Sequence, residues 1–134
     1  MEYRGSVLIV DDAESVRNIL CRRLEAEWFR CATASGGQEA LDKAAMQDFD
    51  VVLLDILMPG MTGIDVLRTL VKRDPCPQVI MVTSVLDVDT IEEAMRLGAC
   101  DYVAKPFNLV DVLDRVEKAL LKKRAATSPG EAAD

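Results

Sequence analysis

The sequence predicts an α/β fold, a five-stranded parallel sheet with helices on both faces. Three observations support it. Five short apolar runs alternate with segments of helical spacing, several of these runs are continuously apolar, and the connections between segments are short. Strands of a parallel sheet are buried on both faces and are joined by crossover helices, so their sequences form runs of this kind.

The five apolar runs predict the strands. They lie at residues 6–10, 30–34, 50–54, 78–84 and 101–104. The first run ends at the pair Asp11-Asp12, and the third leads directly into Asp55. The second run, RCATA, is less apolar than the others. Each run has the length expected of a buried strand rather than of a helix.

Apolar residues at helical spacing predict five helices between and after the strands. They are expected at about 13–26, 36–46 and 63–73, in a segment that ends at Gly98, and after Asn108. Ser35 is expected to cap the second helix and Asn108 the fifth, since both residue types are favoured at helix N-caps. Gly98 is a typical helix terminator.

Composition excludes several classes of function. The net charge is −7 and the chain has only one Trp, two Tyr and three Phe, which disfavours direct binding of nucleic acid. Histidine is absent, which excludes histidine-based zinc sites and Ser-His-Asp triads. No apolar run is long enough to span a membrane, and no signal peptide is evident. We therefore expect a cytoplasmic protein.

The 134 residues fit one domain, expected to span residues 1–124. From residue 125 the sequence AATSPGEAAD lacks periodicity, which predicts a disordered tail or the start of a linker at 125–134. The four cysteines have no metal-binding or redox spacing. They are expected to be buried free thiols in a reducing compartment.

Polar residues lie at or just after the ends of four of the predicted strands. Asp11 and Asp12 follow the first strand, Asp55 the third and Lys105 the fifth, and Thr83 lies near the end of the fourth. Ligands of open parallel sheets bind at the carboxyl ends of the strands, where these side chains can converge. Three carboxylates suit a hard cation such as Mg²⁺, and an added ammonium and hydroxyl suit a phosphoryl group. An aspartate can itself be the nucleophile in phosphoryl transfer.

Four motifs carry a resemblance to a known family. They are VDD at 10–12, LLDILMPGMTG at 53–63, VTS at 82–84 and DYVAKPF at 101–107. In this order, at the ends of these strands, they resemble the receiver domain of bacterial two-component response regulators. The resemblance covers residues 5–124 and implies a flavodoxin-like sheet of strand order 2-1-3-4-5.

The resemblance implies a phosphorylation-controlled signalling switch rather than a metabolic enzyme. It implies that Asp55 accepts a phosphoryl group from a phosphohistidine of a sensor histidine kinase or phosphotransfer protein. It also implies that Asp11, Asp12 and Asp55 bind Mg²⁺ together with the backbone carbonyl of Leu57. The protein would catalyse only its own phosphotransfer and dephosphorylation.

Further roles follow from the same resemblance. Lys105 is expected to bind the phosphoryl group and to precede a cis peptide bond to Pro106. Thr83 and Tyr102 are expected to switch the surface of helix 4, strand 5 and helix 5, which would control an output domain or partner. A monomer or weak dimer is expected before phosphorylation. The side chains of Leu57 and Val85, which offer no hydrogen bond, are expected to flank the attacking water and to lengthen the phosphoryl lifetime.

Other interpretations of these residues remain open. Asp11-Asp12 could simply cap the first helix, Lys105 could be solvated, and Thr83 and Tyr102 could be ordinary strand and core residues. A phosphatase of the aspartyl-phosphate type would need a second aspartate at position 57, and a flavodoxin-like module would need a Ser/Thr/Gly-rich loop after the first strand. Neither is present. A receiver that works without phosphorylation would not need the intact acidic positions.

Overall fold

In the computed structural model, which describes residues 2–85 and 87–127, strands and helices alternate in the predicted order. The strands are β1 Gly5–Val10, β2 Phe29–Ala34, β3 Val51–Leu54, β4 Gln78–Thr83 and β5 Asp101–Ala104. The helices are α1 Glu14–Ala26, α2 Gly37–Met46, α3 Gly63–Leu70, α4 Val88–Leu97 and α5 Leu109–Thr127.

The five strands form one parallel sheet of order β2-β1-β3-β4-β5, which confirms the predicted fold and strand order. Val10 pairs with Leu54, and Thr83 pairs with Ala104. The carboxyl ends of β1, β3, β4 and β5 therefore lie along one edge of the sheet. The residues that follow these four strands therefore begin from the same edge.

Two apolar layers cover the sheet. One layer packs β1 residues Leu8 and Val10 against α2, α3 and α4, and the other packs Val7 and Ile9 against α1 and α5. Successive side chains of a strand point to opposite faces, so a continuously apolar strand serves both layers at once. This is why the buried stretches 7–10, 51–54 and 79–82 of the three central strands are entirely apolar.

Several helix ends differ from the prediction. Ser35 does not cap α2, because its N–H and hydroxyl both donate to Glu39 and the helix begins after Gly36. Helix α3 ends at Leu70, because residues 71–73 form tighter turns in which the Lys72 N–H donates to the Thr69 carbonyl. Asn108 caps α5 as expected, accepting from the Val110 N–H at 2.8 Å.

Helix α5 extends to Thr127, three residues beyond the domain boundary expected at 124. The rest of the predicted tail or linker, residues 128–134, lies outside the described residues. The four cysteines are free thiols. Cys76, however, is exposed and the other three are half-buried, so the expectation that all four are buried was wrong. Within the described part of the chain, no helix is long and apolar enough to cross a bilayer.

Candidate functional site

The two strand-end aspartates are held in place by the sheet itself. The Asp55 N–H donates to the carbonyl of Val10 at 3.0 Å, and the Asp11 N–H donates to the carbonyl of Ala34 at 3.1 Å. Both residues thus extend the hydrogen-bond ladder by one position beyond their strands. Asp11 is 3% exposed and Asp55 is 5% exposed. Burial of two carboxylates so close together requires compensating partners.

Lys105 supplies that compensation. Its Nζ lies 2.6 Å from Oδ2 of Asp11 and 3.0 Å from Oδ2 of Asp55, and its side chain is 20% exposed. Its backbone N–H donates to the Thr83 carbonyl at 3.0 Å, which fixes where the side chain leaves β5. The peptide bond between Lys105 and Pro106 is cis.

The protonation of Lys105 follows from these contacts. Burial disfavours the charged ammonium, but its hydrogen bonds to Asp11 and Asp55 and the charges of both carboxylates outweigh that effect and raise the pKa of Lys105. The side chain is therefore a cation at neutral pH. It balances the charge of one carboxylate while contacting two.

Asp12 completes an acidic cluster with the two buried aspartates. One carboxylate oxygen from each of Asp11, Asp12 and Asp55 lies within 4.8 Å of the others, and Asp12 is exposed. Oxygen donors converging from one side, with one ligand open to solvent, suit Mg²⁺, which is usually bound by one or two carboxylates and keeps several waters. The donor set therefore fits the expected ion.

The remaining oxygens of the buried pair are bound by backbone N–H groups. Asp11 Oδ1 accepts from the N–H of Ala13 at 2.9 Å, and Asp55 Oδ1 accepts from the N–H of Leu57 at 3.3 Å. The alternative role of Asp11 as a helix cap is thus present only in part. The N-cap of α1 is Ala13, which has no side-chain cap.

The loop after Asp55 is shaped by two glycines and a capping box. Gly60 has a φ of 77°, a left-handed conformation that glycine adopts at little cost. Gly63 lies against the backbone of Asp55 and donates its N–H to the Ile56 carbonyl at 2.9 Å. Thr62 and Asp65 cap α3 reciprocally. The start of α3 is therefore packed directly on the residue that carries the candidate nucleophile.

Thr83 and Tyr102 both contact the backbone of Val85. Thr83 is fully buried and its Oγ1 accepts from the Val85 N–H at 3.3 Å. The Tyr102 hydroxyl donates to the Val85 carbonyl at 2.6 Å, and its half-buried ring packs against the layer that contains α3 and α4. The two side chains therefore contact the N–H and the carbonyl of the same residue.

The two residues expected to flank the attacking water have different environments. Leu57 is 58% exposed, whereas Val85 is half-buried and packs against the core. The sequence pattern did not point to Arg17, which donates from Nη1 to the backbone carbonyl of Asp11 at 2.8 Å. One signal could have indicated Arg17: it is the single cation in the first turns of the helix that follows Asp11 and Asp12.

Comparison with known proteins agrees with this geometry. Residues 7–117 match the response regulator receiver domain family. The chain is 39% identical over 117 residues to the DNA-binding transcriptional regulator NtrC of Escherichia coli, covering 87% of this chain and 25% of NtrC. It is 37% identical over 114 residues to sporulation initiation phosphotransferase F of Bacillus subtilis, covering 85% of this chain and 92% of that protein.

Solved structures give the same result. A CheY-like response regulator receiver domain protein from Methanospirillum hungatei superimposes with a TM-score of 0.88 at 29% identity, covering 91% of this chain and 98% of that one. The chain spans about half or less of the length of transcriptional regulators that it matches, 54% and 25% in two of them. Because the family match extends over most of the chain, this protein belongs to the response regulator receiver domain family.

Proposed function

We propose that this chain is a phosphorylation-controlled switch that accepts a phosphoryl group on Asp55 from a phosphohistidine of a sensor histidine kinase or phosphotransfer protein. The observation that carries the proposal is the contact of one lysine with two buried carboxylates beside a third carboxylate. The similarity to sporulation initiation phosphotransferase F, which extends over 92% of that protein, supports the proposal. The four free thiols support a reducing, cytoplasmic location.

The transfer needs positioning and charge balance more than covalent machinery. An oxygen of the Asp55 carboxylate attacks the phosphorus, a P–O bond forms, and the P–N bond to the donor imidazole breaks. The imidazole nitrogen keeps the electron pair of the broken bond and takes up a proton from solvent. Lys105 and the Leu57 N–H, which already bind the two oxygens of Asp55, hold the nucleophile in a fixed orientation.

Asp11, Asp12 and Asp55 would hold Mg²⁺, with the backbone carbonyl of Leu57 as a further ligand. When bound, the ion supplies positive charge that offsets the charge of the phosphoryl oxygens. Asp11 keeps its position through its own contacts with Lys105 and Ala13. Asp12, being exposed, can adjust to an incoming ligand.

The switch follows from the shared contacts of Val85. A phosphoryl group on Asp55 brings strong acceptor oxygens, which draw the Thr83 hydroxyl away from the Val85 N–H. Val85 is then free to move, and its carbonyl carries the Tyr102 hydroxyl with it. The surface of α4, β5 and α5 changes as a result and is read by an output domain or partner.

The charge of that surface also sets our expectation for assembly and partners. Helix α4 and its cap are mainly acidic, with Asp87, Asp89, Glu92 and Glu93. Arg115 is already bound within the chain to Asp101 and Asp111. We therefore propose a monomer or weak dimer before phosphorylation. With a net charge of −7, this domain is not expected to bind nucleic acid directly.

Incubation with Mg²⁺ and acetyl phosphate, followed by intact-mass measurement, tests the proposal. The native protein should gain one phosphoryl group, and Asp55→Asn should gain none. Asp114→Asn is the matched control, because Asp114 lies on the surface of α5, where it pairs with Lys118. Equal labelling of Asp55→Asn and the native protein would overturn the assignment of Asp55.

A further inference from the structure

We propose that Arg17 is a positioning residue that holds the acidic loop after β1 in the shape required for Mg²⁺ binding. This inference rests on the proposed function, because it concerns the same acidic cluster. Arg17 lies in α1 and forms no ion pair with any of the three carboxylates. It acts through the backbone of Asp11, the residue at which the sheet ends and the loop begins.

Asp11 is fixed through four polar groups: its N–H, its two carboxylate oxygens and its carbonyl. The Asp11 N–H donates to the Ala34 carbonyl, Oδ1 accepts from the Ala13 N–H, and Oδ2 accepts from Lys105 Nζ. Arg17 Nη1 binds the carbonyl at 2.8 Å. This carbonyl belongs to the peptide unit that joins Asp11 to Asp12. Its orientation therefore sets the direction in which the chain presents Asp12.

The contact matters because, apart from the bond between the Ala13 N–H and Asp11 Oδ1, this turn has little side-chain support from α1. Ala13 is the N-cap of α1 and provides no side-chain hydrogen bond. Asp12 is exposed and is the most weakly held member of the acidic cluster. The Arg17 guanidinium spans from the first turns of the helix back to the strand end, where it donates to the Asp11 carbonyl. It links α1 to the end of β1 beside the candidate metal ligands.

Arg17 differs from Lys105, the cation that contacts the carboxylates directly. Among the described residues no carboxylate lies within 4.0 Å of its guanidinium, although the acidic cluster is close along the chain. Its hydrogen bond goes to a neutral carbonyl. Its charge, by itself, repels a divalent cation and weakens Mg²⁺ binding, whereas its geometric effect strengthens it. The two effects predict opposite results when the side chain is removed.

Calorimetric titration of the unphosphorylated protein with Mg²⁺ alone separates these effects. We expect Arg17→Met to bind Mg²⁺ about tenfold more weakly, equivalent to about 1.4 kcal/mol. Arg17→Lys should recover most of the affinity, because an ammonium can donate to the same carbonyl. Arg22→Met is the matched control, since Arg22 is exposed on the same helix, and its affinity should equal that of the native protein.

The outcomes are distinguishable. If Arg17→Met binds Mg²⁺ as tightly as the native protein or more tightly, the positioning role is wrong. If it lowers the unfolding temperature in EDTA without changing Mg²⁺ affinity, Arg17 is only structural and the inference also fails. Should Arg17→Met not fold, Arg17→Ala decides in its place, because alanine also lacks the donor and favours the helix: an affinity weaker than that of Arg22→Met supports the inference, and an equal affinity overturns it. Absence of Mg²⁺ binding by the native protein would instead refute the proposed function.

Discussion

Replacing Gly63 with alanine is expected to disturb the candidate nucleophile without touching any charged group. A Cβ added at Gly63 would lie 2.1 Å from the carbonyl oxygen of Asp55 and 2.7 Å from Cα of Ile56. Real Cβ atoms essentially never approach closer than 3.0 Å, so the first contact is 0.9 Å too short. Both neighbours are backbone atoms, which cannot move aside as the end of a flexible side chain can.

The magnitude follows from where the strain must go. Overpacking of a close-packed site costs about 1–3 kcal/mol. A loss of about 2 kcal/mol lowers the unfolding temperature by roughly 6–10 °C in a domain of this size. Relief of the clash requires the start of α3 or the end of β3 to shift by almost 1 Å. A displacement of about 1 Å of a reacting group can reduce a rate by about 100-fold.

Thermal unfolding and the rate of phosphorylation by acetyl phosphate test this prediction. Gly36→Ala is the matched control, because a Cβ at Gly36 meets no atom within 4 Å and its φ of −164° suits any residue. That control should lose no more than about 1 kcal/mol, because alanine is less favoured than glycine at an N-cap. If Gly63→Ala and Gly36→Ala unfold and react alike, close packing of α3 on Asp55 does not position the nucleophile.

Three further predictions concern other parts of the molecule. Leu57→Asn combined with Val85→Glu should speed the loss of the phosphoryl group about tenfold, equivalent to about 1.4 kcal/mol of barrier, and unchanged decay would exclude shielding by these side chains. Sedimentation of the unphosphorylated protein at micromolar concentration should show no tight dimer, and finding one would contradict the proposed monomer or weak dimer. Burial, followed by the charges of Cys21 and Glu25, raises the pKa of the Cys31 thiol to about 12. Since the thiolate is the reactive form, iodoacetamide at pH 8 should modify exposed Cys76 well before Cys31, and equal rates of modification would refute this order.

The amino-acid sequence was sufficient to predict the fold class and the residues that meet at the candidate site. Periodic apolar runs predicted five parallel strands, and the rule that such strands end at one edge placed Asp11, Asp55 and Lys105 together. These inferences succeed because they depend on local patterns and on a general property of parallel sheets. The order of the strands came from the resemblance of the motifs to a family.

Which atoms meet at that edge depends on tertiary packing. Three arrangements join residues through backbone groups or across distant segments. They are the two contacts of Lys105, the hydrogen bond from Arg17 to the Asp11 carbonyl, and the hydrogen bonds of Thr83 and Tyr102 to Val85. Backbone carbonyls and N–H groups are the same in almost every residue, so no side-chain pattern indicates which of them will accept or donate. Their partners are set by how the helices pack on the sheet, to within a fraction of an ångström, and this packing does not appear in hydrophobic periodicity.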